Sequence, residues 1–381
     1  MLFTILTLAC SQEKTFEDGF PAFGYRGTET PEQILIADSS DGLNTPRDLG
    51  MNPGIPGELW VVNRTDDSVS IIQNTGLDTQ ESLHLIDPYA LHFMEEVSSI
   101  AFGKPQHFGT CQESMNTYNG QGEENTFMGP TLWHADLDEF AQSNPEAVEY
   151  LSDLFGMPVD LGSHYDMLHE SPLCMGIAWE RENVYWVFDG YNQSIARYDF
   201  VDDHGMGYDD HSDGIIVKYV TGEVQREPNV PSHMRLHHKT GLLYIADTGN
   251  NAIKVLDITS GKSGNTLPVQ EPGTVHFEKE NATFTTLIKG GEFNMVRPSG
   301  LTIVDDILLV SDNATGIIHA FDLEGNEIDS FQTGAEDGGL MGIYASSIDD
   351  ILYVDAVANE VNRIRSEYSI QNNLELGSDE F

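Results

Sequence analysis

The sequence predicts an all-β chain folded as a six-bladed β-propeller, and three observations carry that prediction. A short apolar run ending in Asp or Asn recurs along the chain. Each copy follows a second marker that places Gly, Ser or a polar residue before an apolar pair. A further apolar run, Glu32-Gln33-Ile34-Leu35-Ile36-Ala37, stands ahead of the first copy.

The first marker reads Leu59-Trp60-Val61-Val62-Asn63 with Val69, Tyr185-Trp186-Val187-Phe188-Asp189 with Ile195, Leu243-Tyr244-Ile245-Ala246-Asp247 with Ile253, and Leu308-Leu309-Val310-Ser311-Asp312 with Ile318. A fifth, shorter copy is Leu352-Tyr353-Val354-Asp355 with Val361. The second marker appears as Pro46-Arg47-Asp48-Leu49, Cys174-Met175-Gly176-Ile177, Ser232-His233-Met234, Pro298-Ser299-Gly300-Leu301 and Met341-Gly342-Ile343. Between 12 and 15 residues separate the two markers, enough for a strand, a tight turn and a second strand. Ser98-Ser99-Ile100-Ala101-Phe102, with Phe108 and Cys111 following, supplies the sixth start.

Each such unit is a small antiparallel sheet, apolar on both faces, which is not stable alone. Units set radially bury one another's faces and leave only short edges. The recurring Asp or Asn caps the turn after its strand by accepting from nearby backbone N–H groups. The run 32–37 is expected to return as the outer strand of the sixth blade.

These residues resemble NHL repeats, most clearly in "HHKTGLLYIADTGNNAIKVLD" and "PSGLTIVDDILLVSDNATGIIHAFD". The resemblance spans residues 46–365. It implies the propeller and leaves function open, because propellers serve binding, scaffolding and catalysis alike.

Two stretches interrupt the repeats, 112–131 and 138–172, and place a loop and short-helix insertion at blades 2–3. In the second, Asn144 before Pro145 reads as a helix start and Gly156 as its stop. The domain reading is a signal-like segment 1–10, a polar tether 11–31, the propeller 32–366 and an acidic tail 367–381.

The segment Met1 to Ser11 is a short apolar run ending in Ala9-Cys10, similar to the end of a bacterial lipoprotein signal in which Cys10 carries the lipid. That predicts an extracytoplasmic protein, either anchored at the cell envelope or secreted. Outside the cytosol the remaining pair, Cys111 and Cys174, is expected to form a disulfide, with two buried thiols as the alternative. Lys and Arg number 18 against 62 Asp and Glu, a net charge of -44. Such a surface repels phosphate backbones and anionic membranes, so nucleic acid is excluded and membrane contact is left to the lipid. The expected partners are a small molecule, a peptide or an envelope protein, met by a monomer.

Aligning the blades places Asp48, Ser99, Gly176, His233, Gly300 and Gly342 at equivalent positions around the central channel. An acid and an imidazole stand where the repeat otherwise uses Gly or Ser. His92 lies seven residues before Ser99 and His169 seven before Gly176, and His164 lies five before His169. His92, His164, His169, His233 and Asp48 therefore form a candidate Zn, Cu or Fe ligand set; hydrogen-bonded loop residues are the alternative. Peptidyl-hydroxyglycine amidating lyase is an NHL-like propeller whose metal is held by histidines of different blades, and Pro231-Ser232-His233-Met234 is similar to a segment carrying one of them. That resemblance implies a metal at His233, with Arg47 and Tyr165 as candidates to hold an anionic or carbonyl substrate. The acidic run Asp202 to Gly214 has alternate carboxylates suited to Ca²⁺, although His211 interrupts it. No G-x-S-x-G, G-x-G-x-x-G or P-loop is present, which removes support for serine hydrolase, dinucleotide and NTPase readings.

Two functions follow. One is an exported propeller that binds a ligand or partner, with or without a metal at its channel. The other is a metal-dependent lyase or hydrolase acting on a small substrate.

Overall fold

The computed structural model describes residues 15–117 and 122–366, which form six radial sheets. Segment 1–10 with Cys10, and the tail 367–381, lie outside the described residues. Blade 1 is built from Pro46–Met51, Leu59–Asn63, Ser68–Gln73 and Glu81–Ile86. Blade 2 is Val97–Phe102, His107–Gln112, Thr131–His134 and His164–Met167. Blade 3 begins with Cys174–Arg181, Val184–Asp189, Ser194–Asp199 and Ile215–Tyr219. Blade 4 is Met234–His237, Leu242–Asp247, Ala252–Asp257 and Phe284–Ile288. Blade 5 is Pro298–Val304, Ile307–Asp312, Ile317–Asp322 and Glu327–Gln332. Blade 6 is Leu340–Ser347, Asp350–Asp355, Glu360–Arg365 and, from the other end of the chain, Glu32–Ala37.

In every blade but the second, the second strand is a nearly continuous apolar run rather than an alternating one, because both of its faces meet a neighbouring blade. Leu59–Asn63, Val184–Asp189 and Ile307–Asp312 are buried at every position. One apolar cluster fills each gap between blades. Trp60, Phe108, Trp133 and Phe140 fill the first, and Leu59, Val61, Leu352 and Val354 fill the last. Closure occurs as the sequence predicts: Glu32–Ala37 pairs antiparallel with Glu360–Arg365, setting Glu32 opposite Arg365 and Leu35 opposite Asn362. The turn acids also behave as expected. Asp312 Oδ1 accepts from Arg297 N and Ala314 N, both at 3.0 Å. Asp355 Oδ1 accepts from Val357 N and Ala358 N, both at 3.0 Å.

Three features depart from the sequence reading. Blade 3 has six strands, because the hairpin Lys262–Thr266 and Val275–Glu280, inserted before the outer strand of blade 4, adds parallel to Ile215–Tyr219. The end of the region read as the second insertion, His164–Met167, is the outer strand of blade 2. The helix itself is Pro145–Phe155, capped by Asn144 and ended by Gly156 at φ 66°. The described part of the segment read as a polar tether docks instead: Phe20, Ala22 and Phe23 bury in the gap between blades 5 and 6. Asp329 Oδ2 holds it there by accepting from Phe20 N (2.9 Å) and Arg26 N (2.8 Å). Among the described residues no helix is long and apolar enough to cross a membrane.

The inner strands converge so closely that the repeat's glycines are sterically required. A Cβ on Gly176 would lie 2.0 Å from Ser232 O, and one on Gly300 2.2 Å from Met341 O, both in the next blade. Backbone cannot yield as a side-chain tip can. Gly300→Ala is therefore expected to cost about 1–3 kcal/mol through strain on the inner ring. A urea unfolding curve checks this, and an unchanged midpoint would contradict the account.

Candidate functional site

The inner ring places Asp48 and His233 where the blade alignment put them, and it uses them as cross-braces. Asp48 Oδ2 accepts from Ile100 N of blade 2 at 3.1 Å and lies 3.5 Å from His233 Nε2 of blade 4. His233 Nε2 also faces Ser98 O at 3.2 Å, and both side chains are almost fully buried. Burial lowers the His233 pKa, the Asp48 carboxylate partly opposing it. This brace links blades 1, 2 and 4. Cys111 and Cys174 lie beside it on blades 2 and 3 with Cα atoms 5.1 Å apart, a spacing that suits a disulfide.

On one side of the brace lies Arg47. It is 4% exposed, its Nη1 meets Met341 Sδ at 3.5 Å, and its Nε has no partner. Burial, with the nearby Arg64 charge, depresses its pKa to about 10. Arg64 and Arg226 share Glu113, at 3.7 and 3.0 Å.

On the other side the same inner strands open into a funnel of about 340 Å³ to which every blade contributes. Its walls include Met51, Phe102, Trp179, Arg235, Thr302 and Tyr344. Arg235 follows His233 by two residues and so shares its face of the strand. Among the lining residues it alone carries a permanent charge. Its Nη1 donates to Met234 O at 3.2 Å, and among the described residues it forms no ion pair. Burial raises the Tyr344 pKa and the Arg235 charge opposes that rise.

The histidines divide: His92 meets His169, and His164 and His169 flank a further imidazole described below, while His233 meets Asp48 in the inner ring. Sequence reading joined them because an aligned register along the blades says nothing of radial distance. His92 sits in the short turn Ala90–Phe93, ahead of its strand rather than on it. His92 Nε2 and His169 Nε2 are 3.3 Å apart. His169 Nδ1 pairs with Glu271, brought in by the hairpin of blade 3. His164 Nδ1 faces Leu161 O at 2.9 Å, and its Nε2 is buried with no partner.

The structure adds His211, whose ring centroid lies 5.5 Å from that of His164 and 5.4 Å from that of His169. Burial disfavours its charge, but Asp166 (2.9 Å) and Asp209 (3.6 Å) outweigh burial and lift its pKa to about 9. Burial, then the His211 charge, holds His92 at about 4 and keeps His164 and His169 neutral. Burial lifts Glu271 to about 7.

The alternation of His164–Met167 turns Tyr165 to the opposite face from His164 and Asp166. Its hydroxyl donates to Glu139, and its ring packs on His134 at 5.5 Å. Burial raises its pKa, so it is a phenol and not a base. It joins neither Arg47 nor His92, His164, His169 and His233, and packs instead on His134 and His107. The acidic run diverges as well: Asp203 pairs with His107 at 3.2 Å, Asp209 with His211, and Asp210 and Asp213 with His204 at 3.6 and 3.4 Å.

No family model matches the sequence, and no curated protein does. Solved structures do resemble the fold. An auxiliary nutrient binding protein from Bacteroides thetaiotaomicron is 11% identical with a TM-score of 0.52, over 84% of this chain and 68% of that one. An auxiliary nutrient binding protein from Bacteroides ovatus is 9% identical with a TM-score of 0.50, over 88% and 76%. Virginiamycin B lyase from Staphylococcus aureus is 12% identical with a TM-score of 0.49, over 88% and 99%. At these identities the likeness is one of fold, a six-bladed propeller.

Asp87 ties the turn carrying His92 to the strand carrying His164. It accepts from Tyr89 N (2.8 Å), Ser163 N (2.8 Å) and Ser163 Oγ (2.6 Å). Burial outweighs these bonds and raises its pKa to about 6, so the folded state holds the proton more tightly than the unfolded chain. Its contribution is present in full below the unfolded value near 3.8 and is lost as pH rises through about 6. The stability of the native protein minus that of Asp87→Asn is expected to fall by about 2 kcal/mol from pH 4 to pH 8. Urea titrations at the two pH values measure it; a pH-independent difference would contradict the account.

Proposed function

We propose that this protein is a small-molecule-binding propeller whose ligand enters the axial funnel, and that the ligand is a compact anion with a flat apolar body. The observation that carries the reading is Arg235: an unpaired guanidinium in a cavity of about 340 Å³ walled by Trp179, Phe102 and Tyr344. A chain of net charge -44 offers many carboxylates to pair a cation. One left free at the convergence of six strands is available to a carboxylate or sulfate through charge-assisted bonds. Aromatic walls suit a planar body beside that group.

His233 is engaged with Asp48 and Ser98 O across the inner ring, which favours binding over lyase chemistry at this position. We further propose export by the segment ending at Cys10, with lipid as the membrane contact and Cys111 joined to Cys174.

Two measurements test these readings. A thermal-shift panel of aromatic carboxylates and sulfates is expected to yield a stabilising ligand, with affinity at least about tenfold weaker for Arg235→Gln. No stabilising anion, or equal affinity in the variant, would contradict the site. In denatured protein taken from the cell envelope, Cys111 and Cys174 are expected to resist alkylation until reduced; alkylation without reductant would contradict the disulfide.

A further inference from the structure

The ring that holds Asp48 and His233 repeats two residues further along each inner strand, where Gly50, Ala101, Ala178, Arg235, Thr302 and Tyr344 all line the funnel. Blades 4, 5 and 6 meet closely at the first ring. His233 N donates to Ser299 O at 2.9 Å, and a Cβ on Gly300 would lie 2.2 Å from Met341 O. Arg235, Thr302 and Tyr344 therefore stand on three consecutive strands, and the Arg235 charge acts on the Tyr344 phenol. The second ring is lopsided. Blades 1, 2 and 3 bring Gly or Ala, each followed by a large apolar side chain, Met51, Phe102 or Trp179. Blades 4, 5 and 6 bring a guanidinium, an alcohol and a phenol. Thr302 is only 4% exposed, yet among the described residues neither its hydroxyl nor that of Tyr344 has a hydrogen-bond partner. Neither oxygen is sealed from solvent, so both open onto the funnel that their residues line. A polar group set so deep without a protein partner is met by water or by a ligand.

We propose that the funnel's ligand is a sulfate monoester of a flat apolar alcohol, and that Thr302 and Tyr344 read its head group beside Arg235; this rests on the funnel being the anion site. A carboxylate carries its acceptor lone pairs in one plane. A guanidinium that takes both of its oxygens leaves hydroxyls from two further strands out of that plane. A tetrahedral head with three terminal oxygens offers one to each of the three strands. Charge decides between sulfate and phosphate. The one guanidinium, with no other permanent charge among the lining residues, balances one negative charge. A sulfate monoester carries one. A phosphate monoester carries about 1.5 to 2 at neutral pH, and the field of a chain of net charge -44 opposes the excess. The apolar body falls on the opposite arc, where Gly50, Ala101 and Ala178 leave room and Phe102 and Trp179 form the wall.

Calorimetric titration of the full chain with three ligands that share one body, naphthyl sulfate, naphthoate and naphthyl phosphate, tests this at about pH 7.5, where the phosphate is mostly a dianion. The sulfate is expected to bind at least about tenfold more tightly than either of the others. Thr302→Val and Tyr344→Phe remove only unpartnered hydroxyls, so both are expected to keep the unfolding midpoint of the native chain. Each is expected to weaken the sulfate about tenfold and to leave naphthoate within about threefold. Naphthoate or the phosphate binding as tightly as the sulfate, or undiminished sulfate affinity in either variant, would overturn the inference while the funnel keeps its anion. Failure of all three ligands to bind, or equal binding to Arg235→Gln, would overturn the reading of the funnel itself and the inference with it.

Discussion

Burial of two apolar faces per blade is the constraint on which the rest of the molecule depends. A sheet such as Leu59–Asn63 with its neighbours has no solvent side, so it is stable only between two others. A row of such sheets always leaves two faces bare unless it closes. Closure is made by main-chain pairing of Glu32–Ala37 with Glu360–Arg365, which joins the two ends of the propeller and seals the gap holding Val61 and Val354. Six wedges around one axis then force the inner strands together, and the remaining features follow from that convergence. Gly176 and Gly300 are needed where backbone meets backbone. Asp48 and His233 bond across the axis because so narrow a ring brings blades 1, 2 and 4 within reach of one imidazole. Beyond them the strands splay, and the space that opens is the funnel around Arg235.

The charge of the chain takes on a different meaning once the fold is known. Acidic residues dominate the composition, and several buried carboxyl groups are lifted by loss of water, Asp87 to about 6 and Glu271 to about 7. Much of the chain's positive charge that lies inward is tied down: Arg64 and Arg226 by Glu113, Arg197 by Glu180 at 2.7 Å. Arg235 is different, because the inner strands around it carry small, apolar and aromatic side chains and bring no carboxylate to it. An anion entering the funnel moves against the long-range field of the molecule and with the short-range field of one guanidinium. At physiological salt the first is screened beyond about 8 Å, while the second acts at contact.

Much of the fold was legible in the sequence because it repeats. The spacing from Trp60 to Asn63 to Val69 returns at Trp186, Tyr244 and Leu309, and each copy became the second and third strands of a blade. The closing strand was legible as an apolar run without a blade of its own. The hairpin that widens blade 3 was not, since Lys262–Thr266 is exposed and polar and carries neither apolar alternation nor β-branched runs. The docking of Phe20 and Phe23 was masked by the polar residues around them. Within the candidate sites, the repeat register gave Asp48 and His233 their ring. It could not show that His92 and His169 meet each other and not His233, since register fixes height along the blade and not distance from the axis. His211 was read as an interruption of an acidic loop; its signal was an imidazole amid carboxylates, the arrangement that makes it a charged partner of Asp166. Arg235 could have been found by stepping two residues from His233 along the same strand face.

The most direct test of the central claim is crystallographic: a crystal of the full chain soaked in an iodinated aromatic carboxylate, with the iodine located by its anomalous scattering. The account predicts one strong site in the funnel, with the carboxylate on the Arg235 guanidinium and the ring against Trp179 or Tyr344. Anomalous density elsewhere on the molecule, with the funnel holding none, would contradict it.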